Sequence, residues 1–134
     1  MRVVADTNVV VYHLLKTEPF VEEARSFWRK VTGTLAPASW EAEVANVLWQ
    51  ASRHRVVSAE GALRLLRLSG RLAIHSVPVR TLWEGALALS VRSGVSVYDT
   101  LFVELAQRRQ VRLATFDQQV LDRFPDVACR PRDL

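Results

Sequence analysis

Val3-Val4-Ala5-Asp6-Thr7-Asn8 is the stretch on which the fold turns. Three apolar residues, two of them β-branched, make a short strand with no polar face, as expected of a strand covered on both sides. Asp6-Thr7-Asn8 then stops it with residues that cap and turn. The pattern recurs downstream. Thr34-Leu35-Ala36 is a strand broken by Pro37, Leu72 to Val77 is a strand stopped by Pro78, Val111 to Thr115 is a strand followed by Phe116-Asp117, and Val127-Ala128-Cys129 makes a last one.

Helices fill the intervals. Val9 to Leu15 reads as helical in spite of its β-branched residues, and Pro19 suits the first turn of a second helix. That helix carries an apolar stripe of Phe20, Ala24, Phe27, Trp28 and Val31 and is ended by Gly33. Ser39 is the expected cap of a third, with Trp40, Val44, Val47, Leu48 and Ala51 inward. Ser58 opens a fourth to about Leu68, Val79 to Arg92 is a fifth ended by Gly94, Ser96 opens a sixth with Leu101, Phe102, Leu105 and Ala106 inward, and Asp117 to Phe124 is a seventh. Alternating strands and helices predict an α/β sandwich, with a mainly parallel central sheet covered by helices. No linker or repeat interrupts the pattern, so residues 1–134 are read as one domain.

Composition sets the outer limits. A chain of 134 residues, 49% apolar and 24% charged, can bury a core of its own. No apolar run approaches the roughly 18 residues of a membrane-spanning helix. An acid at Asp6 argues against a secretory leader. The one cysteine, Cys129, can make neither an internal disulfide nor a thiolate zinc site, and is read as a small buried hydrophobe. The cytoplasm is the expected compartment. The net charge is +4, and sixteen of the eighteen basic residues are arginine. Such a balance favours a polyanionic partner and equally serves solubility.

Four carboxylates occupy equivalent places in this pattern. Asp6 and Asp117 directly follow strands, and Glu43 and Asp99 fall in the first turn or so of helices. In a parallel sheet the strand C-termini and the following helix N-termini share one edge, where such folds place their sites. Acids remote in sequence are therefore expected to meet. Each also has a plain structural role available: Asp6 and Asp117 as N-caps, Asp99 in a capping box with Ser96, Glu43 at the positive end of a helix dipole. Two placements speak against capping alone. Glu43 lies beside the stripe of Trp40 and Val47, and Asp99 shares a side with Phe102, Val103 and Ala106. An acid beside a core needs a partner. Two like charges about 5 Å apart repel by roughly 3 kcal/mol at an effective dielectric near 20, against a domain stability of about 5–15 kcal/mol. Protonation or a divalent cation must offset this, and all-oxygen ligation suits Mg²⁺ or Mn²⁺ better than zinc. His13, His54 and His75 are scattered, without metal-ligand spacing.

Together, Asp6-Thr7-Asn8, Glu43-Val44-Ala45-Asn46-Val47-Leu48, Tyr98-Asp99-Thr100-Leu101-Phe102-Val103-Glu104-Leu105-Ala106 and Thr115-Phe116-Asp117 resemble the motifs of PIN-domain ribonucleases. Within these, the chain is similar to the toxin branch of VapBC toxin–antitoxin systems, over nearly its whole length. The resemblance implies that Asp6, Glu43, Asp99 and Asp117 are catalytic and hold one or two Mg²⁺ or Mn²⁺ ions. It implies an endoribonuclease in which a metal-activated water hydrolyses RNA phosphodiester bonds, leaving a 5′-phosphate and a 3′-hydroxyl. Asn8 and Thr115 would support the site or touch phosphate. A homodimer restrained by a small antitoxin protein is expected, with no membrane partner. Some relatives carry a further acid just after the last one, where this chain has Gln118 and Gln119 and where Asp122 faces solvent a turn later. That departure bears on a second metal and not on the first.

Three other readings share parts of this pattern. A catalytically inactive PIN-fold binding module would be expected to lose one or more acids, and all four are present. A receiver-like signalling domain phosphorylated on Asp needs a lysine near its last strand, and neither lysine lies beyond Lys30. An Asp-nucleophile phosphotransferase wants a second Asp at the position of Asn8. Arg64, Arg67 and Arg71 are spaced to share a helix face, and Arg108, Arg109 and Arg112 cluster beside the Val111–Thr115 strand. Either group could track phosphates or form a solvated face. Trp28, Trp40, Trp49 and Trp83 have the spacing of core or interface residues.

Overall fold

The computed structural model describes residues 1–134. Five strands, β1 (Arg2–Ala5), β2 (Gly33–Pro37), β3 (Ile74–Val77), β4 (Leu113–Ala114) and β5 (Ala128–Cys129), form a sheet of order β3-β2-β1-β4-β5. Every neighbouring pair is parallel, so the expected parallel α/β architecture is the one observed. The chain steps outward from β1 to β2 and β3, then returns to the other side of β1 for β4 and β5. The direction of winding reverses between β1 and β4, and their C-terminal ends border the crevice where open α/β sheets bind ligands. The order also differs from the 2-1-3-4-5 sheet of receiver domains, which removes that reading.

Seven helices cover the sheet: α1 (Thr7–Leu14), α2 (Val21–Lys30), α3 (Ser39–Arg53), α4 (Ala59–Ser69), α5 (Trp83–Ser93), α6 (Val97–Arg109) and α7 (Gln118–Arg123). Strand alternation divides the core in two. Val4 and Leu113 pack with Val10, Leu35, Val44, Phe102 and Leu105 on one side, and Val3, Ala5 and Ala114 pack with Val9 and Phe27 on the other. Tertiary burial explains why Val9-Val10-Val11 is helical against its propensity, because all three side chains are buried. The middle of helix α6 is buried nearly all round, with Leu101, Phe102, Val103, Leu105 and Ala106 at 3% exposure or less, while Tyr98 and residues 107–109 are exposed. Against α5, the Glu104 carboxylate of α6 lies over Gly85, where a Cβ would sit 2.4 Å from its carboxylate carbon and would make that side chain move. Gly94 ends α5 in the left-handed conformation at φ 76°, as its place in the sequence predicts.

Several boundaries differ from the sequence reading. Pro19 stands in the turn before α2 and Phe20 is that helix's N-cap, so neither is in its first turn. Gly33 begins β2 and does not end α2, which closes at Lys30. Ser39 is not a cap. Ala38 already has helical dihedrals (φ −56°, ψ −19°), which draws Ser39 inside the helix and leaves its hydroxyl buried without a hydrogen bond. Residues 79–81 form a 3₁₀ turn before α5 instead of joining it. Strands β3 and β4 are shorter than expected.

The basic clusters also come apart. Arg112 precedes β4 on the sheet's N-terminal edge, opposite the acids, and donates to the carbonyls of Val127 (3.1 Å) and Ala128 (3.3 Å). Arg108 is engaged by Glu104 and the Thr81 carbonyl. Arg71 lies beyond the end of α4, so it does not continue the face of Arg64 and Arg67. Trp28 and Trp40 pack into the core and donate to the Val9 carbonyl and Ser76 Oγ, whereas Trp49 and Trp83 are about half exposed, at 53% and 48%. Cys129 is buried, as expected. No single helix is long and apolar enough to cross a membrane.

Candidate active site

Four separate elements deliver the four carboxylates. Asp6 follows β1 and caps α1, its Oδ1 accepting from the Thr7 N–H at 2.7 Å. Asp117 follows β4 and caps α7, its Oδ1 accepting from the Gln119 and Val120 N–H groups at 2.9 and 3.3 Å. The capping role expected of both is real, but it occupies one oxygen of each. Asp99, in the first turn of α6, does not complete a capping box. The Ser96 hydroxyl donates to Asp99 Oδ2 at 3.4 Å, and Ser96 caps no backbone N–H. Glu43 lies in the second turn of α3, past the reach of the helix dipole, because the helix begins at Ser39.

All four line one pocket of ≈ 290 Å³, together with Thr7, Asn8, Val11, Tyr12 and Val47. The pocket opens at the C-terminal edge of the sheet, where β1 and β4 part. No arginine or lysine lines it, and none of the chain's ion pairs involves these acids.

A polar web fixes the carboxylates. The Thr115 hydroxyl donates to Asp6 Oδ2 at 2.7 Å and accepts from the Asp117 N–H at 3.0 Å, so one buried side chain ties the first acid to the last. Asn8 donates to Asp6 Oδ2 and Thr115 Oγ1 at 3.5 and 3.4 Å and accepts from the Phe116 N–H at 3.2 Å. Across the pocket, the Thr7 hydroxyl donates to Glu43 Oε2 at 3.0 Å. Glu43 Oε1 is buried without any partner. Thr7 and Tyr12 join the site without having been assigned to it from sequence: Thr7 stands between two assigned residues, and Tyr12 falls one helical turn after Asn8.

The electrostatics follow from burial without counter-charge. Asp6 is 6% exposed, and its pKa rises from 3.8 to about 7. Burial is the main cause. The Thr115 hydrogen bond opposes it, and the charges of Asp99 and Glu43 add to it. Glu43 is raised by burial and by the Asp99 charge, against the pull of Thr7 and of the nearby Ser39 hydroxyl, which makes no well-formed hydrogen bond. Asp99 is raised by burial and by the charge of Asp117.

The residues suit a hard divalent cation. The donors are oxygens, one of them an orphaned buried carboxylate oxygen, and no side chain supplies positive charge. As the side chains stand, no three of the acids are drawn together into a metal-holding group; the fit to a cation rests on the oxygen donors, the orphaned Glu43 Oε1 and the missing counter-charge.

Comparison with known proteins agrees with this fold. Residues 3–127 match the family model of the PIN domain. Over 87 residues the chain is 33% identical to ribonuclease VapC3 of Pyrobaculum aerophilum, an alignment covering 62% of this chain and 65% of that relative. Among solved structures, it is similar to a toxin–antitoxin complex from Klebsiella pneumoniae, with a TM-score of 0.70 at 15% identity over 96% of this chain and 97% of that one. It is also similar to VapBC2 of Rickettsia felis bound to a DNA fragment from its promoter, with a TM-score of 0.67 at 12% identity over 97% and 98% of the two chains. At these identities the structural likenesses speak for the fold.

Proposed function

This chain belongs to the PIN-domain family, and from that premise we propose that it is a metal-dependent endoribonuclease, the toxin of a toxin–antitoxin pair, with residues 1–134 acting as one catalytic domain. The observation that carries the reading is the pocket itself: Asp6, Glu43, Asp99 and Asp117, from four elements, share it with no arginine or lysine. The likeness to a protein named as a ribonuclease supports the activity, and the toxin–antitoxin complexes among its structural neighbours support the partner.

The four acids would hold Mg²⁺ or Mn²⁺. When bound, such a cation promotes attack by water on a phosphodiester and offsets the charge that builds on the phosphate oxygens. The chain's own residues position the pieces. Thr115 and Asn8 hold Asp6 Oδ2 and the Asp117 backbone in fixed relation. Thr7 orients Glu43 so that Oε1 stays unshared. Asn8 and Thr115 are therefore support for the carboxylates, with the Thr115 hydroxyl fully engaged and without capacity for phosphate. A small antitoxin and a second copy of the chain are the expected protein partners. Exposed apolar side chains on α3–α4 (Trp49, Leu63) and on α5 (Trp83, Leu87, Val91) supply the kind of surface that partners cover. The cytoplasm is the proposed compartment.

The test is incubation of the purified chain, free of any antitoxin, with single-stranded RNA in Mg²⁺ or Mn²⁺ and in EDTA. Internal cleavage with either metal, none in EDTA, and products ending in a 5′-phosphate and a 3′-hydroxyl are the expected result. Cleavage that persists in EDTA, or no cleavage with either metal, overturns the proposal.

A further inference from the structure

Tyr12 is the one aromatic side chain on the wall of the acid pocket. It lies one helical turn beyond Asn8 on α1, so the two share a face, with Asn8 bonded to Asp6 and Tyr12 further along the rim. Its ring is stacked on Phe20 (centroids 4.8 Å apart, 14° between planes) and meets Phe116 at 5.3 Å, and Phe20 and Phe116 are 5.0 Å apart. None of the three rings is fully buried, unlike the core rings of Phe27 and Phe102 at 0% and 1% exposure.

The trio is braced from behind. The Arg130 guanidinium lies 4.9 Å from the Phe116 ring and 5.6 Å from the Phe20 ring. It is itself held by Glu23 through two hydrogen bonds of 3.1 and 2.6 Å. The trio is also tied to the acids. Phe116 stands between Thr115 and Asp117, and its N–H donates to Asn8 Oδ1. A rigid, partly exposed aromatic surface is thus held in register with the carboxylates.

From this arrangement we propose that Tyr12, backed by Phe20 and Phe116, is a stacking platform for one unpaired base of the RNA substrate next to the phosphate being cleaved. The proposal rests on the nuclease reading and adds the subsite that holds the substrate. The four acids would engage the substrate only through a cation at the scissile phosphate, and no arginine or lysine of the pocket wall holds the neighbouring nucleotide. A π-face supplies that hold without charge, for any base. A base can lie on Tyr12 only when it is unstacked and unpaired, so the platform selects single-stranded or looped RNA and tolerates base identity.

The experiment uses the full chain with Mn²⁺ and a short single-stranded RNA containing one cleaved bond. A set of the same RNAs carries a single abasic ribonucleotide at successive positions around that bond. For the wild type, one abasic position next to the bond raises KM by about 5- to 150-fold, the range of a lost base–aromatic stack, with kcat nearly unchanged. Tyr12→Leu raises KM for the intact RNA by a similar factor and no longer responds to that abasic position. Tyr12→Phe behaves as the wild type. An unchanged KM in a folded Tyr12→Leu variant, or an abasic penalty that survives the substitution, overturns the platform while leaving the nuclease standing. Should Tyr12→Leu fail to fold, the scan on the wild type decides, since no sensitive position next to the bond overturns the proposal. A wild type that cleaves no RNA in Mn²⁺ removes the nuclease reading, and the platform with it.

Discussion

Glu23 on α2 and Asp6 at the end of β1 are both carboxylates drawn out of bulk water, and the protein treats them in opposite ways. Glu23, with its side chain 13% exposed, accepts two hydrogen bonds from the Arg130 fork and a third from the Arg132 N–H. Those partners outweigh burial and hold its pKa below the ordinary 4.5. Asp6 is buried more deeply, faces Asp99 and Glu43, has only neutral donors, and is pushed up to about 7. The chain has sixteen arginines and directs one to Glu23 and none to the pocket. An acid whose charge is balanced within the chain belongs to the scaffold. Four acids left without balance are the ground for proposing that a charge from outside the chain enters there.

The largest effect that could break this contrast is on cleavage. Asp99→Asn removes the carboxylate whose charge reaches Asp6 and Glu43 and which itself feels Asp117. RNA cleavage in Mn²⁺ is expected to fall about 1,000-fold, the scale of losing one preorganised group in an electrostatic site. The melting temperature should hold or rise, because a source of repulsion is gone. Glu23→Gln should do the reverse, leaving kcat within about twofold and costing about 1–2 kcal/mol of stability as Arg130 loses its charged partner. Equal losses of kcat in the two variants would erase the distinction.

Much of this was readable in the sequence, and for identifiable reasons. The β1 strand and its stop at Asp6 were plain because a strand buried on both faces has no polar alternation to confuse it. The parallel sheet followed from regular alternation, and the meeting of the four acids followed from the geometry of parallel sheets. What was hidden depends on contacts distant in sequence. Nothing near Thr115 says that its hydroxyl reaches back to Asp6, 109 residues away. The trio of Tyr12, Phe20 and Phe116 joins three segments that no periodicity links. Ser39 misled because its residue type favours a cap, while the preceding Ala38 was free to take helical dihedrals and move the helix start. Arg108 and Arg112 looked available for phosphate because sequence shows charge and not the carbonyls that occupy it.

Metal binding sharpens the contrast at the next scale down. A ligand that binds only the folded state at about 100 times its Kd adds about 2.7 kcal/mol of stability. Mn²⁺ or Mg²⁺ should therefore raise the melting temperature of the wild type and raise that of Glu23→Gln by the same increment, since the Glu23 pair does not line the pocket. Asp6→Asn and Glu43→Gln should lose most of the increment. A metal-induced rise that persists in both pocket variants would place the cation elsewhere on the chain.

The smallest expected effect is on stability against pH without metal, and its sign separates the two regions. Asp6 holds its proton more tightly when folded, near pH 7, than when unfolded, near 3.8. Between those values the native state binds more protons than the unfolded one, so stability falls as pH rises through the window and is flat above it. Glu43 and Asp99, also raised, act in the same direction. Glu23 acts in the other: its carboxylate is favoured by the fold, so its contribution is present above its ordinary 4.5 and is lost as pH falls further. The slope from one proton is at most about 1.4 kcal/mol per pH unit, and local relaxation reduces it, so a decline of about 1–2 kcal/mol from about pH 5 to about pH 8 is expected in EDTA. Asp6→Asn should flatten this decline while keeping the loss at acid pH, and Glu23→Gln should soften the acid loss while keeping the decline. Denaturant melts of the three proteins across that range measure both. A wild type that gains stability from about pH 5 to about pH 8 in EDTA would mean that the pocket acids ionise freely, and that their charge is balanced by the protein after all.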